Sequence, residues 1–241
     1  VSDGVRASRR QAFPPSEPTT MLGAGTLPAG TPPRNRSSSL GRVARRPPLR
    51  IETGRLVLRC WESSDAEALA EAIEASLDHL RAWMPWAAGE PISLGARRRL
   101  LRSFNREFHD GANFVYGIFE QGTGVVVGGT GLHRRRGPGD LEIGYWIRAD
   151  RVRRGYASES TAVMTRVAFE LVGIDRVVIL VDPLNEASLG VPRKLGFVEG
   201  ETLDGVLLPL PGDPEARAGT VFSVARDAHP TDAVAAYPYT A

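Results

Sequence analysis

The sequence predicts an α/β domain in which one mixed sheet carries helices on both faces. Strand candidates follow one another from residue 113 to residue 148 with short polar connections, as in an antiparallel meander. From residue 156 onward, helix and strand patterns alternate, which is typical of a sheet covered on both faces. With 241 residues and 42% hydrophobic content, the chain is long enough for one domain of roughly 150 to 200 residues with a buried core.

The first 50 residues predict a disordered Arg/Pro-rich extension. They hold nine arginines, two acidic residues and eight of the 18 prolines, and they show no helical or strand period. A nucleic-acid-binding arm and a targeting peptide are the functional alternatives for this segment. The remaining residues carry a net charge of −5, and 29 of the 30 basic side chains are arginines. This bias indicates codon usage more than a basic surface, so the sequence argues against a nucleic-acid partner.

Neither a membrane protein nor a disulfide-rich protein is predicted. The longest aliphatic run, residues 177–181, is far shorter than the roughly 18 apolar residues that span a bilayer. The chain has one cysteine, Cys60, so no internal disulfide can form. We therefore expect a cytoplasmic protein, and no metal site is predicted.

The elements before residue 112 are predicted from hydrophobic period and from helix caps. Residues 56–59 alternate as in a strand, and Ser64 stands three residues before Glu67 in a capping box that predicts a helix. The helical stripe continues until Pro85 stops it. A second helix is predicted between residues 93 and 111.

The later elements form one continuous series. Their patterns are period-2 alternation for the strands and a 3.6-residue apolar stripe for the helices. Strands are predicted at 113–120, 125–133, 141–148, 176–182, 197–202 and 219–225, and helices at 156–172 and 185–195.

The segment from residue 153 to residue 159 carries the clearest sign of chemistry. A strand leads into a glycine turn that opens a helix, and the small residues Gly155 and Ala157 let several main-chain N–H groups point outward together. Such a turn suits a phosphate or a pyrophosphate. Many strand-to-helix turns contain glycine without binding a ligand, and a helix dipole contributes only about 0.3 to 2 kcal/mol. On the turn alone, both interpretations stay open.

Three blocks of residues occur in an order that identifies a family. The first is RLVLR at 55–59 with HLRAWMPW at 79–86, the second is EIGYW at 142–146 with GYA at 155–157, and the third is NEAS at 185–188 with KLGF at 194–197. Together they resemble the GNAT N-acetyltransferases, and within that family the branch that acetylates N-terminal amines of ribosomal proteins. The resemblance implies an acetyltransferase domain at residues 51–226, followed by a C-terminal tail at 227–241.

The resemblance implies a GNAT-like twisted mixed, mostly antiparallel sheet with flanking helices. Its fourth and fifth strands, here residues 141–148 and 176–182, would splay apart and hold the pantetheine arm of acetyl-CoA between them. Main chain at residues 146–148 would pair with the pantetheine amides, and the turn, where Arg153 replaces the family's usual glycine, would hold the pyrophosphate. The implied cofactor-binding residues are Trp146, Ile147, Arg148, Arg153, Arg154, Gly155, Tyr156, Ala157, Ser158 and Asn185.

Acyl transfer from a thioester to an amine needs a proton acceptor, a donor to the oxyanion and a proton donor for the thiolate. We assign Glu142, through a water, to the first function, a main-chain amide near Ile147 to the second, and Ser188 to the third. Structural alternatives remain. Glu142 could be a solvent-facing strand residue, and a helix kink at Pro192 could displace the Ser188 hydroxyl.

The acceptor site is expected to include Trp83, Trp86 and His133. Packing in the core is the alternative for the two tryptophans, because aromatic residues at helical spacing usually lie in the core. His133 is also an alternative base, although a lone histidine is more often a hydrogen-bonded structural residue.

The expected function is acetyl-CoA-dependent transfer of an acetyl group to a primary amine, with a protein N-terminal α-amine as the first choice. Deprotonation at pH 7 costs about 1.4 kcal/mol for an α-amine and about 4.6 kcal/mol for a lysine. The alternatives are a small-molecule amine, such as an antibiotic or a polyamine, and a non-catalytic acyl-CoA-binding module. The sequence does not decide the identity of the acceptor or whether a homodimer forms.

Overall fold

The structure is a computed structural model that describes residues 46–171, 173–210, 215–229 and 231–241. Most of the predicted disordered extension, residues 1–45, lies outside the described residues. The described part is built on one eight-stranded sheet in the order β1-β2-β3-β4-β5-β6-β8-β7. Its strands are β1 (Arg50–Glu52), β2 (Leu56–Cys60), β3 (Asn113–Glu120), β4 (Val126–His133), β5 (Asp140–Ile147), β6 (Arg176–Val181), β7 (Val198–Leu207) and β8 (Arg217–Ala225).

Helices cover both faces of this sheet, as predicted. They are α1 (Ala66–Glu74), α2 (Leu77–Arg81), α3 (Leu94–Asp110), α4 (Tyr156–Glu170), α5 (Glu186–Lys194) and α6 (Asp232–Ala235). Neighbouring residues of β3 point to opposite faces: Ile118 belongs to the core built around α4, and Phe119 belongs to the core under α1 and α3. The predicted α/β class is therefore confirmed. No helix in the described ranges is long and apolar enough to cross a bilayer.

The structure corrects two predictions before residue 90. The first helix is not capped by Ser64, because Ser63–Asp65 form a 3-10 helix whose capping box joins Glu62 to Asp65. The predicted long helical stripe is also broken, since the chain turns after Glu74 and starts again as α2 at Leu77. The second predicted helix is confirmed as α3, with Ser93 accepting from the Ala96 amide and Gly111 ending the helix at φ 74°.

The C-terminal region is more ordered than predicted. Strand β7 extends to Leu207, beyond the predicted end of that strand at residue 202, and forms a long hairpin with β8. The predicted tail at 227–241 packs on the domain, because Val234 of α6 is buried and Thr240 pairs with Glu52 of β1.

Strands β5 and β6 form the one parallel pair of the described sheet, and they diverge. Residues 140–142 pair with residues 176–178, and no pairing continues beyond them. All other neighbouring strands are antiparallel. Because β1 was not predicted, the predicted fourth and fifth strands are β5 and β6 in the structure, and their predicted splay is confirmed.

Candidate active site

The main chain of β5 faces the gap between β5 and β6 at alternate residues. The Arg148 amide donates to the Val127 carbonyl at 2.8 Å, and Trp146 lies opposite Gly129 in the same ladder. In an antiparallel pair, the residues between such hydrogen-bonded positions turn their N–H and C=O groups to the other side. The amides of Tyr145 and Ile147 therefore face the gap. This corrects the expectation for Trp146 and Arg148, whose main chain is paired with β4.

A large cavity of about 600 Å³ opens at this gap. We call it the large cavity, and its walls come from the end of β5, the turn before α4, the start of α5 and the α2 region. Eight of the ten predicted cofactor residues line it: Trp146, Ile147, Arg153, Gly155, Tyr156, Ala157, Ser158 and Asn185. Arg148 and Arg154 do not line it. The Arg148 side chain turns to Glu71 at 3.2 Å, and that of Arg154 donates to the Asp150 carbonyl at 3.3 Å.

The turn before α4 places two left-handed residues close together. Arg153 has φ 59° and Gly155, the N-cap residue of α4, has φ 81°. The first amides of a helix have no partner within the helix, and left-handed residues beside them turn such N–H groups toward one point. A non-glycine residue in this region costs about 1 to 3 kcal/mol, so strain is stored in the wall of the large cavity. Arg153 has this conformation where the resembled family usually has glycine.

An ion pair between the buried Glu159 carboxylate and the exposed Arg55 side chain connects this turn to the segment just before β2. The Glu159 carboxylate, in the first turn of α4, accepts from the Thr53 hydroxyl at 2.5 Å and from Arg55 Nη2 at 2.6 Å. Arg55 also donates from Nη1 to the Arg154 carbonyl at 2.8 Å. No local pattern predicts this ion pair, because Arg55 and Glu159 lie 104 residues apart. The only local signal was an acidic residue in the first turn of a helix.

A small cavity of about 100 Å³ adjoins the large one. We call it the small cavity, and it shares five lining residues with the large cavity: Trp83, Met84, Tyr145, Asn185 and Ser188. Glu142 and Trp86 line the small cavity but not the large one. The predicted catalytic pair, Glu142 and Ser188, therefore shares one cavity, and both predicted tryptophans line it.

Ser188 is held at the junction of the two cavities. Its hydroxyl lies 2.9 Å from the Tyr145 hydroxyl, which also donates to the Ser188 carbonyl at 3.1 Å. The Asn185 side chain caps α5 by accepting from the Ser188 amide at 3.1 Å. The helix continues through Pro192 to Lys194, so the proline does not end it. Tyr145 was not among the predicted site residues, although it lies in the EIGYW block.

The Glu142 carboxylate is buried and engaged by two arginines. Its Oε1 accepts from Arg135 Nη2 at 2.5 Å, and its Oε2 accepts from the Arg136 Nε group. Both arginines lie in the connection between β4 and β5, and no local pattern predicts that they bind Glu142. Glu142 is thus neither solvent-facing nor alone, and its charge is compensated within the site.

His133 lines neither cavity, and its assignment to the acceptor site stays a prediction. It is buried in β4 opposite Glu142 and Asn113, and its Nε2 atom has no hydrogen-bond partner. Burial, with the nearby Arg135 charge, lowers the pKa of His133 to about 3. The imidazole is therefore neutral at pH 7. In the ranges that the structure describes, no group of three or more His, Cys, Asp or Glu side chains could hold a metal ion.

Comparisons with known proteins agree with this geometry. Residues 55–198 match the family described as "Acetyltransferase (GNAT) domain". The chain is 29% identical over 153 residues to "Putative ribosomal N-acetyltransferase YdaF" of Bacillus subtilis (strain 168), covering 63% of this chain and 82% of the relative.

Two solved structures share the fold. The "putative ribosomal-protein-serine acetyltransferase" from Vibrio cholerae is 26% identical with a TM-score of 0.64, covering 75% of this chain and 99% of that one. RimL, a ribosomal L7/L12 alpha-N-protein acetyltransferase in complex with coenzyme A, is 23% identical with a TM-score of 0.64, covering 73% and 99%. Because the family match spans more than half of the sequence, the chain belongs to the GNAT acetyltransferase family and is an acetyl-CoA-dependent N-acetyltransferase.

Proposed function

We propose that this chain acetylates the N-terminal α-amine of a protein, using the domain at residues 51–226. The observation that carries the proposal is the meeting of the large and small cavities at Tyr145 and Ser188. The large cavity lies at the gap between β5 and β6, where main-chain groups of β5 face the gap. The small cavity contains the Glu142 carboxylate, which accepts hydrogen bonds from two arginines. The names of YdaF and of the Vibrio cholerae protein, both of which refer to ribosomal acceptors, support the choice of a protein substrate.

The large cavity fits acetyl-CoA. Its volume of about 600 Å³ lies within the 300 to 1,000 Å³ usual for small-molecule sites. The Tyr145 and Ile147 main-chain groups would bind amides of the pantetheine arm, and the amides after Arg153 would bind the pyrophosphate. The Arg153 guanidinium makes no hydrogen bond or ion pair with the described residues, so it is available for a phosphate.

The residues at the junction divide the chemistry between them. When bound, acetyl-CoA supplies the thioester whose C–S bond is replaced by the new C–N bond. The Ile147 amide donates to the carbonyl oxygen as its negative charge grows. Ser188 would give its hydroxyl proton to the departing sulfur, and Glu142 would take the amine proton through a water; the proton on Glu142 would then return through solvent to Ser188, which restores both groups. Holding both reactants in line supplies most of the acceleration.

The surroundings of Glu142 favour an α-amine over a lysine amine. Both carboxylate oxygens already accept hydrogen bonds from Arg135 and Arg136. Such a carboxylate suits the easier deprotonation, which costs about 1.4 kcal/mol for an α-amine at pH 7 against about 4.6 kcal/mol for a lysine.

Acceptor profiling tests this function directly. The purified chain and acetyl-CoA are incubated with peptides that have free N termini, with the same peptides blocked at the N terminus but containing lysine, and with polyamines and aminoglycosides. Mass spectrometry is expected to find acetylation of the free N termini. Preference for a small amine would support the small-molecule alternative, and saturable CoA binding without any turnover would support the non-catalytic module.

Replacing Gly155 with alanine is expected to weaken CoA binding about tenfold. A Cβ atom there meets Arg55 Nη2 at 3.3 Å, and φ 81° strains any L residue, so the turn must shift its amides. Isothermal titration calorimetry with CoA measures the loss. Gly111→Ala is the matched control, because Gly111 has φ 74° and open space around it. Both variants should lose about 1 to 2 kcal/mol of stability, and equal CoA affinities in the two variants would contradict the assignment of the turn.

Glu142→Gln is expected to lower turnover most at low pH. At high pH the acceptor amine is already neutral, whereas each pH unit below its pKa near 8 reduces the neutral fraction about tenfold. We expect kcat to fall about 100-fold at pH 6.5 and much less at pH 9. CoA affinity should stay unchanged, because Glu142 does not line the large cavity. A loss independent of pH would speak against the proton-accepting role.

A further inference from the structure

The Arg55 side chain lies directly against the turn before α4. Its Nη1 group donates to the Arg154 carbonyl at 2.8 Å, and its guanidinium carbon lies 5.2 Å from the centre of the Tyr156 ring. A Cβ atom added to Gly155 would meet its Nη2 atom at 3.3 Å. Its Nε and Nη2 groups contact Glu159 Oε2 at 2.8 and 2.6 Å. Arg55 thus contacts the wall of the large cavity from behind, because it does not itself line that cavity.

Glu159 places a negative charge close to the expected position of the CoA diphosphate. It is the acidic residue in the first turn of α4, and its side chain is 4% exposed. A carboxylate in the first turn complements the positive end of the helix dipole, but it opposes a second anion at the same end of the helix. Like charges repel strongly where little water screens them. Binding of a diphosphate at this turn therefore requires that the Glu159 charge be compensated.

Arg55 supplies this compensation. Within the part of the chain that the structure describes, it is the only basic side chain that pairs with Glu159. The other carboxylate oxygen accepts from the Thr53 hydroxyl at 2.5 Å, and this hydroxyl carries no charge. The main chain of Arg55 is fixed as well, since its carbonyl accepts from the Gln121 amide at 2.8 Å. The compensating charge is therefore held in one place.

Arg55 also orients a main-chain donor of the turn. Its Nη1 group holds the carbonyl oxygen of Arg154, and the same peptide unit carries the N–H group of Gly155. In a planar trans peptide, the N–H and C=O groups point in opposite directions. Because the carbonyl faces Arg55, the Gly155 N–H faces away from it, and Gly155 lines the large cavity.

We propose that Arg55 is a positioning residue for the diphosphate of acetyl-CoA, because it neutralises the buried Glu159 carboxylate and orients the Gly155 amide. It acts through these two groups and takes no part in the acyl transfer. The inference rests on the placement of the diphosphate at this turn, which belongs to the proposed function. It does not depend on which amine accepts the acetyl group.

The test compares the affinities for CoA and for pantetheine, which has no phosphate. Calorimetry measures CoA binding, and an NMR titration measures pantetheine binding. Arg55→Gln is expected to weaken CoA binding about 30-fold and to leave pantetheine binding within about twofold, because only the diphosphate meets the exposed charge of Glu159. Glu159→Gln should bind CoA at least as tightly as the unaltered chain. The double variant should recover most of the CoA affinity that Arg55→Gln loses.

The controls separate this role from folding. Arg50→Gln removes a similarly exposed arginine from the Arg50–Glu52 pair of the neighbouring strand β1 and should leave both affinities unchanged. Arg55→Lys keeps the charge without the fork, so it should lose less CoA affinity than Arg55→Gln. Thermal melting reports the folding of each variant. If Arg55→Gln does not fold, Arg55→Lys and the double variant decide the question, since both should bind CoA within about fivefold of the unaltered chain.

Each result leads to a distinct conclusion. Unchanged CoA affinity in Arg55→Gln, or equal losses for CoA and pantetheine, would overturn the role of Arg55. If Gly155→Ala weakens CoA binding and Arg55→Gln does not, the turn still binds the diphosphate and only this role fails. If neither variant weakens CoA binding, the placement of the diphosphate fails, and the inference fails with it. If the expected CoA affinities are found but no N terminus is acetylated, the inference stands and the proposed acceptor is wrong.

Discussion

Replacing Ser188 with alanine is expected to lower kcat about 100-fold while leaving the affinity for CoA within about twofold. The hydroxyl lies where the two cavities meet, and the Tyr145 hydroxyl holds it at 2.9 Å. In the proposed mechanism, the departing thiolate would then lose the group that protonates it. Steady-state kinetics with an N-terminal peptide measure kcat, and calorimetry measures CoA binding.

Tyr145→Phe separates the two hydroxyl groups. Burial raises the pKa of the Tyr145 phenol, so the phenol stays protonated and orients Ser188 without supplying the proton itself. We therefore expect a smaller loss for this variant, about tenfold in kcat. Ser103→Ala is the matched control, because Ser103 is a half-buried helical serine that donates to the Leu100 carbonyl, far from the cavities. Full activity of Ser188→Ala would rule out its role as the acid.

The sequence was sufficient to predict the features that depend on neighbouring residues. The meander, the glycine turn before α4 and the end of α3 at Gly111 all follow from local period or from one residue's conformational freedom. The same holds for the Asn185 cap, which accepts from the Ser188 amide three residues later. Eight predicted cofactor residues line one cavity because the family blocks encode this strand, turn and helix in order.

The features that failed depend on partners distant in sequence. Which amides of residues 146–148 face the gap is decided by the register of β5 against β4, and this register places Arg148 on the Val127 carbonyl. The ion pair between Arg217 and Asp182 likewise cannot be predicted from spacing, since its members lie 35 residues apart. The burial of His133 also results from the strands on either side of it.

The cap of α1 failed for a different reason. Only the residues from Ser64 to Glu67 fit the usual capping-box pattern, in which Ser or Thr is followed three residues later by Glu or Gln. The structure instead forms the box between Glu62 and Asp65, and Arg59 also holds Asp65 through two hydrogen bonds of 2.8 and 2.6 Å. A bidentate pair with arginine is among the stronger side-chain contacts, so it favours the box that includes Asp65.

The ion pair between Glu90 and Arg97 connects the stability of the fold to the wall of the small cavity. Their side chains are 3% and 2% exposed, and Arg97 donates to both carboxylate oxygens at 3.1 and 2.6 Å. Glu90 directly follows the 3-10 helix Pro85–Gly89, which includes Trp86 of the small cavity, and its carbonyl accepts from Arg81 at 2.8 Å. The pair thus anchors this segment to α3.

Arg97→Leu is expected to lower the free energy of unfolding by about 3 to 5 kcal/mol, since it leaves the Glu90 charge buried without its partner. Urea unfolding measures the loss. Arg98 lies on the same helix as Arg97 and forms an exposed ion pair with Glu67 of α1. Arg98→Gln removes that pair and should lower the free energy of unfolding by less than about 1 kcal/mol. The double variant Glu90→Leu, Arg97→Leu should recover most of the stability, because it buries no charge. If the double variant is stable but its KM for the acceptor rises, the pair positions the Trp86 segment; an unchanged KM would mean that its contribution is to stability alone.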